Sequence, residues 1–341
     1  MGELYPPIPL DSVDRTIKWP GLVAKKFGHV IDYLARVELE VDRNVLELLV
    51  LLPDADEINK TFYADVWQPQ EIQHGLILDR LQQDLGRAPA KPHLDVSFPI
   101  RILGALAHLK PIQDIARLMY FLTGASTERQ AVLAYNHINR GMQHLDETAI
   151  SETIITPIKQ QEPGHFAFYQ MSATAMIQDK VLRPWQLFLA RVMREKSYHL
   201  VGTNQMKNFK ADMGAVIVDL GLDRDLEGYA REVGRVENRL LWAHKQGMEF
   251  PPYILKALRE SVDLYLSDWS ADSSWHRSTL ALYVPFLRRG RAARSVVRSL
   301  RAKPMIMGCL HERFEIFELP MDLGTAGSWR KLLGWPTLAG R

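Results

Sequence analysis

Two Glu-x-x-His motifs, Glu71-Ile72-Gln73-His74 and Glu162-Pro163-Gly164-His165, are the residues whose types and spacing point most directly to chemistry. Residues three apart on a helix share a face, so each motif can present a carboxylate and an imidazole to one metal ion. A further glutamate precedes each motif, Glu38 by 33 residues and Glu128 by 34, so the ligand set recurs with an offset of 90 to 91 residues. Four carboxylates and two neutral imidazoles carry a charge of −4, which two divalent cations would neutralise. Carboxylate-rich ligation with one His per metal suits two iron ions, or manganese, whereas structural zinc prefers Cys and His closed around one ion. The alternative is a set of buried glutamates compensated by arginines or water.

Those side chains need helices to carry them. Apolar residues at Val30, Ile31, Leu34, Val37, Val41, Val45, Leu48, Leu49 and Leu52 follow a helical period that stops at Pro53. Similar patterns fill roughly 55 to 84, 99 to 123, 125 to 143, 147 to 177, 181 to 200, 205 to 220, 224 to 247 and 252 to 268, with no sustained period-2 alternation, and the expected class is all-α. In an antiparallel helix pair, two residues lie level when they are equally far from the turn. The midpoint of Glu38 and Glu71 falls in Pro53-Asp54-Ala55-Asp56, and that of Glu128 and Glu162 falls beside His144 and Asp146, a candidate N-cap. Glu38 continues the stripe of Leu34, Val41 and Val45, whereas Glu40 shares a face with Arg36, Arg43 and Glu47. Glu128 interrupts the stripe Phe121, Ala125, Val132, Tyr135, and an ionised carboxylate on such a stripe needs a cation or a proton. Pro163 removes the amide that would bond the carbonyl of Lys159, so a kink or π-type bulge is expected there, and Pro69 either kinks its helix or starts a new one.

The remaining composition narrows the setting. Of 341 residues, 47% are hydrophobic and 24% charged, which fits an ordinary globular chain and excludes disorder and low-complexity scaffolds. The formal charge of +2 supplies no global drive toward nucleic acid or acidic membranes. A lone cysteine, Cys309, and a start without a secretory or lipidation pattern suggest a reduced, cytoplasmic location. The longest apolar stretch, Val45 to Leu52, is interrupted by Glu47 and far short of the roughly 20 residues that cross a bilayer, so a soluble protein is expected. Three regions are expected: a proline-rich N-terminal arm at 1–20, a helical metal-binding domain at 21–266, and a basic C-terminal extension at 267–341. Within the last, Arg288, Arg289, Arg291, Arg294, Arg298, Arg301 and Lys303 occur with no acidic residue between them. That run reads as a solvated helix face or as a docking patch for an acidic partner.

Two Glu-x-x-His helices with a Glu from each of two others is the arrangement of ferritin-like di-iron carboxylate proteins. Over about residues 25 to 180 the chain resembles one branch of them, the soluble acyl-carrier-protein desaturases. Trp67, Glu71, His74 and Gly75 match the Trp-x-x-x-Glu-x-x-His-Gly motif of that branch. Glu128-Arg129 matches its Glu-Arg pair, and Tyr169 its Tyr four residues after the second motif. The chain departs from the pattern at Gln161, where these enzymes usually carry Asp, and at Pro163 and Gly164. The resemblance implies a ferritin-like four-helix bundle with additional helices. It assigns Glu38, Glu71 and His74 to one iron and Glu128, Glu162 and His165 to the other, with Glu71 and Glu162 bridging. It also implies a dioxygen-activating oxidase, a desaturase or hydroxylase of an acyl chain carried on acyl carrier protein. A ferredoxin-like electron donor would recycle the site, and a homodimer is compatible with the reading. Arylamine N-oxygenases of the same superfamily are less similar, because the extra His they carry one turn before the second motif is Ile158 here. Iron storage of the ferritin type needs only about half this length. The last alternative is a metal-free scaffold working through its basic tail.

Overall fold

The structure, a computed structural model, describes residues 2, 4–51, 55–96, 98–204, 206 and 208–271. Among them there is no strand, and the protein is all-α. The elements are α1 (Pro20–Glu38), α2 (Val41–Leu51), α3 (Glu57–Thr61), a π-helical stretch (Phe62–Trp67), α4 (Gln68–Asp84), α5 (Phe98–Leu106), α6 (Lys110–His144), α7 (Thr148–Ile150), a second π stretch (Ser151–Ile155), α8 (Thr156–Gln178), α9 (Pro184–Ser197), α10 (Asn208–Asp219), a 3-10 turn (Leu222–Asp225), α11 (Leu226–Leu241) and α12 (Pro252–Ala271). None of the helices in the described residues is long and apolar enough to cross a membrane. The basic run 288 to 303 and Cys309 lie outside the described residues.

Four long helices form the centre, α1 against α4 and α6 against α8, with α10, α11 and α12 packed outside them. Two apolar cores are stacked along this group. One holds Val30, Ile31 and Leu34 of α1, Ile77 and Leu81 of α4, Tyr135 and Ile138 of α6, and Ile158 of α8. The other holds Phe62, Tyr63 and Trp67, Phe121 and Ala125 of α6, and Phe168 and Tyr169 of α8. Helices α6 and α8 run from one core to the other, whereas α1 ends and α4 begins where the two cores meet, and that layer is where Glu38, Glu71, Glu128 and Glu162 fall. Burying a large apolar side chain contributes about 1.5–3 kcal/mol, and the many such groups above and below offset the cost of holding carboxylates between them.

Several boundaries differ from those that periodicity alone suggests. The single helix expected from Val30 to Leu52 breaks at Leu39–Glu40. There α1 ends pressed onto α4, and a Cβ on Gly75 would stand 2.8 Å from the Leu39 side chain and 3.0 Å from its backbone nitrogen. Conversely, the two helices expected on either side of Gly124 are one continuous helix, α6. Gly124 lies beneath the ring of Tyr169, where a Cβ would overlap it, so this glycine serves a close approach and not a break. Asp56 caps α3 by accepting the Asn59 amide at 2.9 Å.

Asp146 is not the N-cap expected of it. It adopts φ 58° at the end of α6, where the Glu147 amide bonds the Met142 carbonyl and closes the helix as glycine commonly does. Neither does a π bulge form at Pro163, and α8 remains α-helical through it. Pro163 lies on the exposed face, so the Lys159 carbonyl that loses its donor is on the solvent side of the helix. The π turns instead precede Pro69 and Pro157. Gln68 N–H bonds the Tyr63 carbonyl and Thr156 N–H the Ser151 carbonyl, a wider turn that relieves the clash of a pyrrolidine ring with the carbonyl four residues back. Pro69 therefore starts α4.

The N-terminal arm is laid along the helices. Ile8 is buried, and Leu10, Val13 and Ile17 pack on the first core. Asp14 N–H donates to Thr153 Oγ1 at 2.9 Å, and the buried Glu147 carboxylate accepts the amides of Lys18 (2.9 Å) and Trp19 (2.6 Å) just before α1.

Candidate metal centre

Glu38 is the last residue of α1, Glu71 and His74 lie in the first two turns of α4, Glu128 is in the middle of α6, and Glu162 and His165 are in α8. All six are buried, His74 and His165 completely. Glu38, Glu71, His74 and Glu162 each offer a ligand atom such that all four lie within 4.8 Å of one another. Glu71, Glu128, Glu162 and His165 do the same. Two adjacent sets therefore share Glu71 and Glu162, each adds one terminal glutamate and one histidine, and either could hold a metal ion.

The two imidazoles face the carboxylates through Nδ1. His74 Nδ1 lies 3.3 Å from Glu162 and 4.0 Å from Glu71. His165 Nδ1 lies 2.8 Å from Glu71, 3.7 Å from Glu162 and 3.8 Å from Glu128. Glu71 Oε1, both oxygens of Glu162 and the Nδ1 atoms of His74 and His165 make no hydrogen bond, although all are shut away from water. Orphaned buried polar atoms cost free energy unless something else coordinates them. Five of them turned toward one small volume, in a donor set of net charge −4, fit a pair of divalent cations.

Electrostatics shows the same imbalance. Burial raises Glu38 and Glu128 well above the ordinary carboxylate range, with the neighbouring glutamates pushing the same way. Burial also lifts Glu71 to about 8. In the metal-free chain Glu162 goes the other way, because burial is outweighed by hydrogen bonds and charge from the facing imidazoles of His165 and His74 when their Nδ1 atoms also carry a proton, and it is held at about 2. Three carboxylates pushed toward the protonated form and one toward the ionised form is how such a layer lowers its charge without cations.

Surrounding groups orient the site. Tyr135 OH donates to Glu38 Oε1 at 2.6 Å and Trp67 Nε1 to Glu128 Oε1 at 3.2 Å, so one oxygen of each of these glutamates is held by a neutral donor. His74 Nε2 donates to Gln161 Oε1, and His165 Nε2 to Gln70 Oε1, both at 2.6 Å. The pairing is crossed, since the residue before each motif's Glu holds the other motif's His. With Nε2 carrying the proton, the Nδ1 lone pair points inward, as ligation requires. Sequence reasoning singled out Gln161 and missed Gln70. The signal was present, because the repeat is Gln-Glu-x-x-His at both places.

Opposite the histidines lies an internal cavity of about 60 Å³. Its wall includes Glu38, Glu71, Glu128 and Glu162, and the rest is mainly apolar, drawn from α1, α6, α10 and α11. Glu40, by contrast, turns away into a buried ion cluster with Arg36 (2.8 Å) and Arg43 (2.9 Å). No protein-family model, curated protein or solved structure matches the chain.

Proposed function

We propose that the protein is a ferritin-like di-iron oxidase that activates dioxygen and acts on an apolar, acyl-type substrate by desaturation or hydroxylation. The observation that carries this reading is the pair of buried ligand sets sharing Glu71 and Glu162, open on one side to an apolar cavity. Glu38, Glu71, His74 and Glu162 would hold one ion and Glu71, Glu128, Glu162 and His165 the other. Carboxylate dominance with one imidazole per ion favours iron, with manganese as the other fit. When bound, two ferrous ions supply the pair of electrons with which dioxygen is reduced, chemistry that no side chain provides.

The chain's own residues do the rest. The cores above and below the carboxylate layer exclude bulk water, and Tyr135 and Trp67 orient the terminal glutamates. The cavity meets the four glutamates on the side that the histidines do not line, which gives a reactant a way to the site. Val37, Val41, Ala131, Ala134 and Met213 make much of that wall apolar, beside the polar Asn44, Thr127 and Gln130, and the apolar part suits a hydrocarbon segment. Turnover needs an external electron source of the ferredoxin kind, and a carrier-bound acyl group would bring an acidic partner.

The test loads the stripped chain with ferrous iron without air, then measures iron content and dioxygen uptake with a reductant and acyl compounds. About two irons per chain and substrate-dependent uptake are expected. Ala131→Leu, which narrows the cavity, is expected to retain the iron and lose the uptake. Heavy iron loading would indicate storage, and a chain that takes up no iron would indicate a scaffold.

A further inference from the structure

The N-terminal arm reaches the metal centre. Gln70 Nε2 donates to the backbone carbonyl of Tyr5, and Gln161 Nε2 donates to the carbonyl of Pro6 at 2.7 Å. These are the two glutamines whose Oε1 atoms receive the Nε2 protons of His165 and His74. Two consecutive carbonyls of one arm therefore stand at the outer end of both histidine chains, on two different helices.

The choice of glutamine gives these carbonyls work to do. A carboxylate accepts from an imidazole whichever way it is turned. An amide has a donor end and an acceptor end. Turned by 180°, Gln70 or Gln161 would aim its NH₂ group at the histidine, favour the tautomer protonated at Nδ1, and remove the inward lone pair. A backbone carbonyl can only accept, so it holds the NH₂ end outward and the Oε1 end on the histidine. Sequence supports the geometry. Tyr5 precedes Pro6 and Pro6 precedes Pro7, so both carbonyl-bearing residues are biased to extended backbone. Successive carbonyls on such a segment point in different directions, as two separate glutamines require.

We propose that Tyr5 and Pro6 are positioning residues of the metal centre, whose carbonyls set the Gln70 and Gln161 amides and through them the ligating tautomer of both histidines. This rests on the di-metal reading above.

The experiment titrates the stripped full chain with Co²⁺, following its visible absorption, against a chain lacking residues 2–7. Removing such outer partners commonly costs about 10–100-fold in metal affinity, and a loss of that size is expected here. The same deletion is then made in a Gln70→Glu, Gln161→Glu chain, whose carboxylates need no orienting, and there it is expected to cost nothing. An equal loss in both backgrounds would reduce the arm to packing and overturn the proposal, as would undiminished affinity in the shortened chain. An intact chain that binds no Co²⁺ would overturn the di-metal reading itself, and the arm's role with it. If the shortened chain does not fold by circular dichroism, Pro6→Gly with Pro7→Gly frees the same backbone at full length. Weaker Co²⁺ binding is expected in that variant, and unchanged binding overturns the proposal.

Discussion

Removing the metal should make stability depend on pH in a way that the loaded protein does not share. In the stripped chain, burial holds Glu71 at about 8, against 4.5 for a free glutamate. The unfolded chain ionises this group above pH 4.5 while the folded chain keeps it protonated, so stability falls as pH rises between the two values. At about 1.4 kcal/mol per unit, that is ~5 kcal/mol over the whole span and ~3 kcal/mol between pH 5.5 and 8. Glu38 and Glu128, raised by the same burial, add to the fall. Glu162, held at about 2, stabilises the fold above pH 4.5 and loses that contribution only as pH drops toward 2, so it is flat in this window. Asp212, lifted by burial to about 6, contributes a slope of its own, but it lies outside the centre and acts alike in both forms. Bound cations let all four glutamates ionise in the folded state and remove the penalty. The melting-temperature gap between loaded and chelator-stripped protein should therefore widen by roughly 6–12 °C from pH 5.5 to 8, at about 2–4 °C per kcal/mol. Calorimetry or a circular-dichroism melt reads this directly. A gap that stays constant across the range would refute the claim that uncompensated buried carboxylates define the centre.

Glu38→Gln touches one ligand set and should lower metal content to about one ion per chain, while Glu162→Gln touches both and should lose both; elemental analysis after desalting decides. Gly124→Ala should destabilise by about 1–3 kcal/mol in urea, because overlap with Tyr169 outweighs the helix-propensity gain of up to ~1 kcal/mol. Arg194→Met leaves Glu237 buried without the guanidinium that meets both its oxygens at 2.9 and 3.0 Å, and should cost about 3–5 kcal/mol. Adding Glu237→Leu should restore part of that loss, and a further fall would contradict the assignment.

The carboxylate layer was legible because Glu71 and Glu162 open the two Glu-x-x-His motifs and Glu38 and Glu128 fall on apolar stripes, where a helical period names the face a residue occupies. That argument separated Glu38 from Glu40, which share a segment but not a direction. It could not see that Glu40 is buried rather than solvated, because its compensation comes partly from the backbone amide of His93, 53 residues away. The break at Leu39–Glu40 and the continuity through Gly124 were misread for one reason. A glycine's role depends on what approaches it, here Leu39 and Tyr169, and neither is near in sequence. Prolines marked stress on the helices, but where they mattered was set by exposure, at Pro163, and by the turn before, at Pro69 and Pro157. The cavity and the arm's two carbonyls arise from segments that only tertiary packing brings together, and no local pattern records them.

The most direct test of the central claim is anomalous diffraction from crystals of the full chain loaded with iron. Two peaks are predicted, one among Glu38, Glu71, His74 and Glu162 and the other among Glu71, Glu128, Glu162 and His165, with both lost together in Glu162→Gln. Iron bound elsewhere, or a layer between the two cores that remains empty under saturating iron, would contradict it.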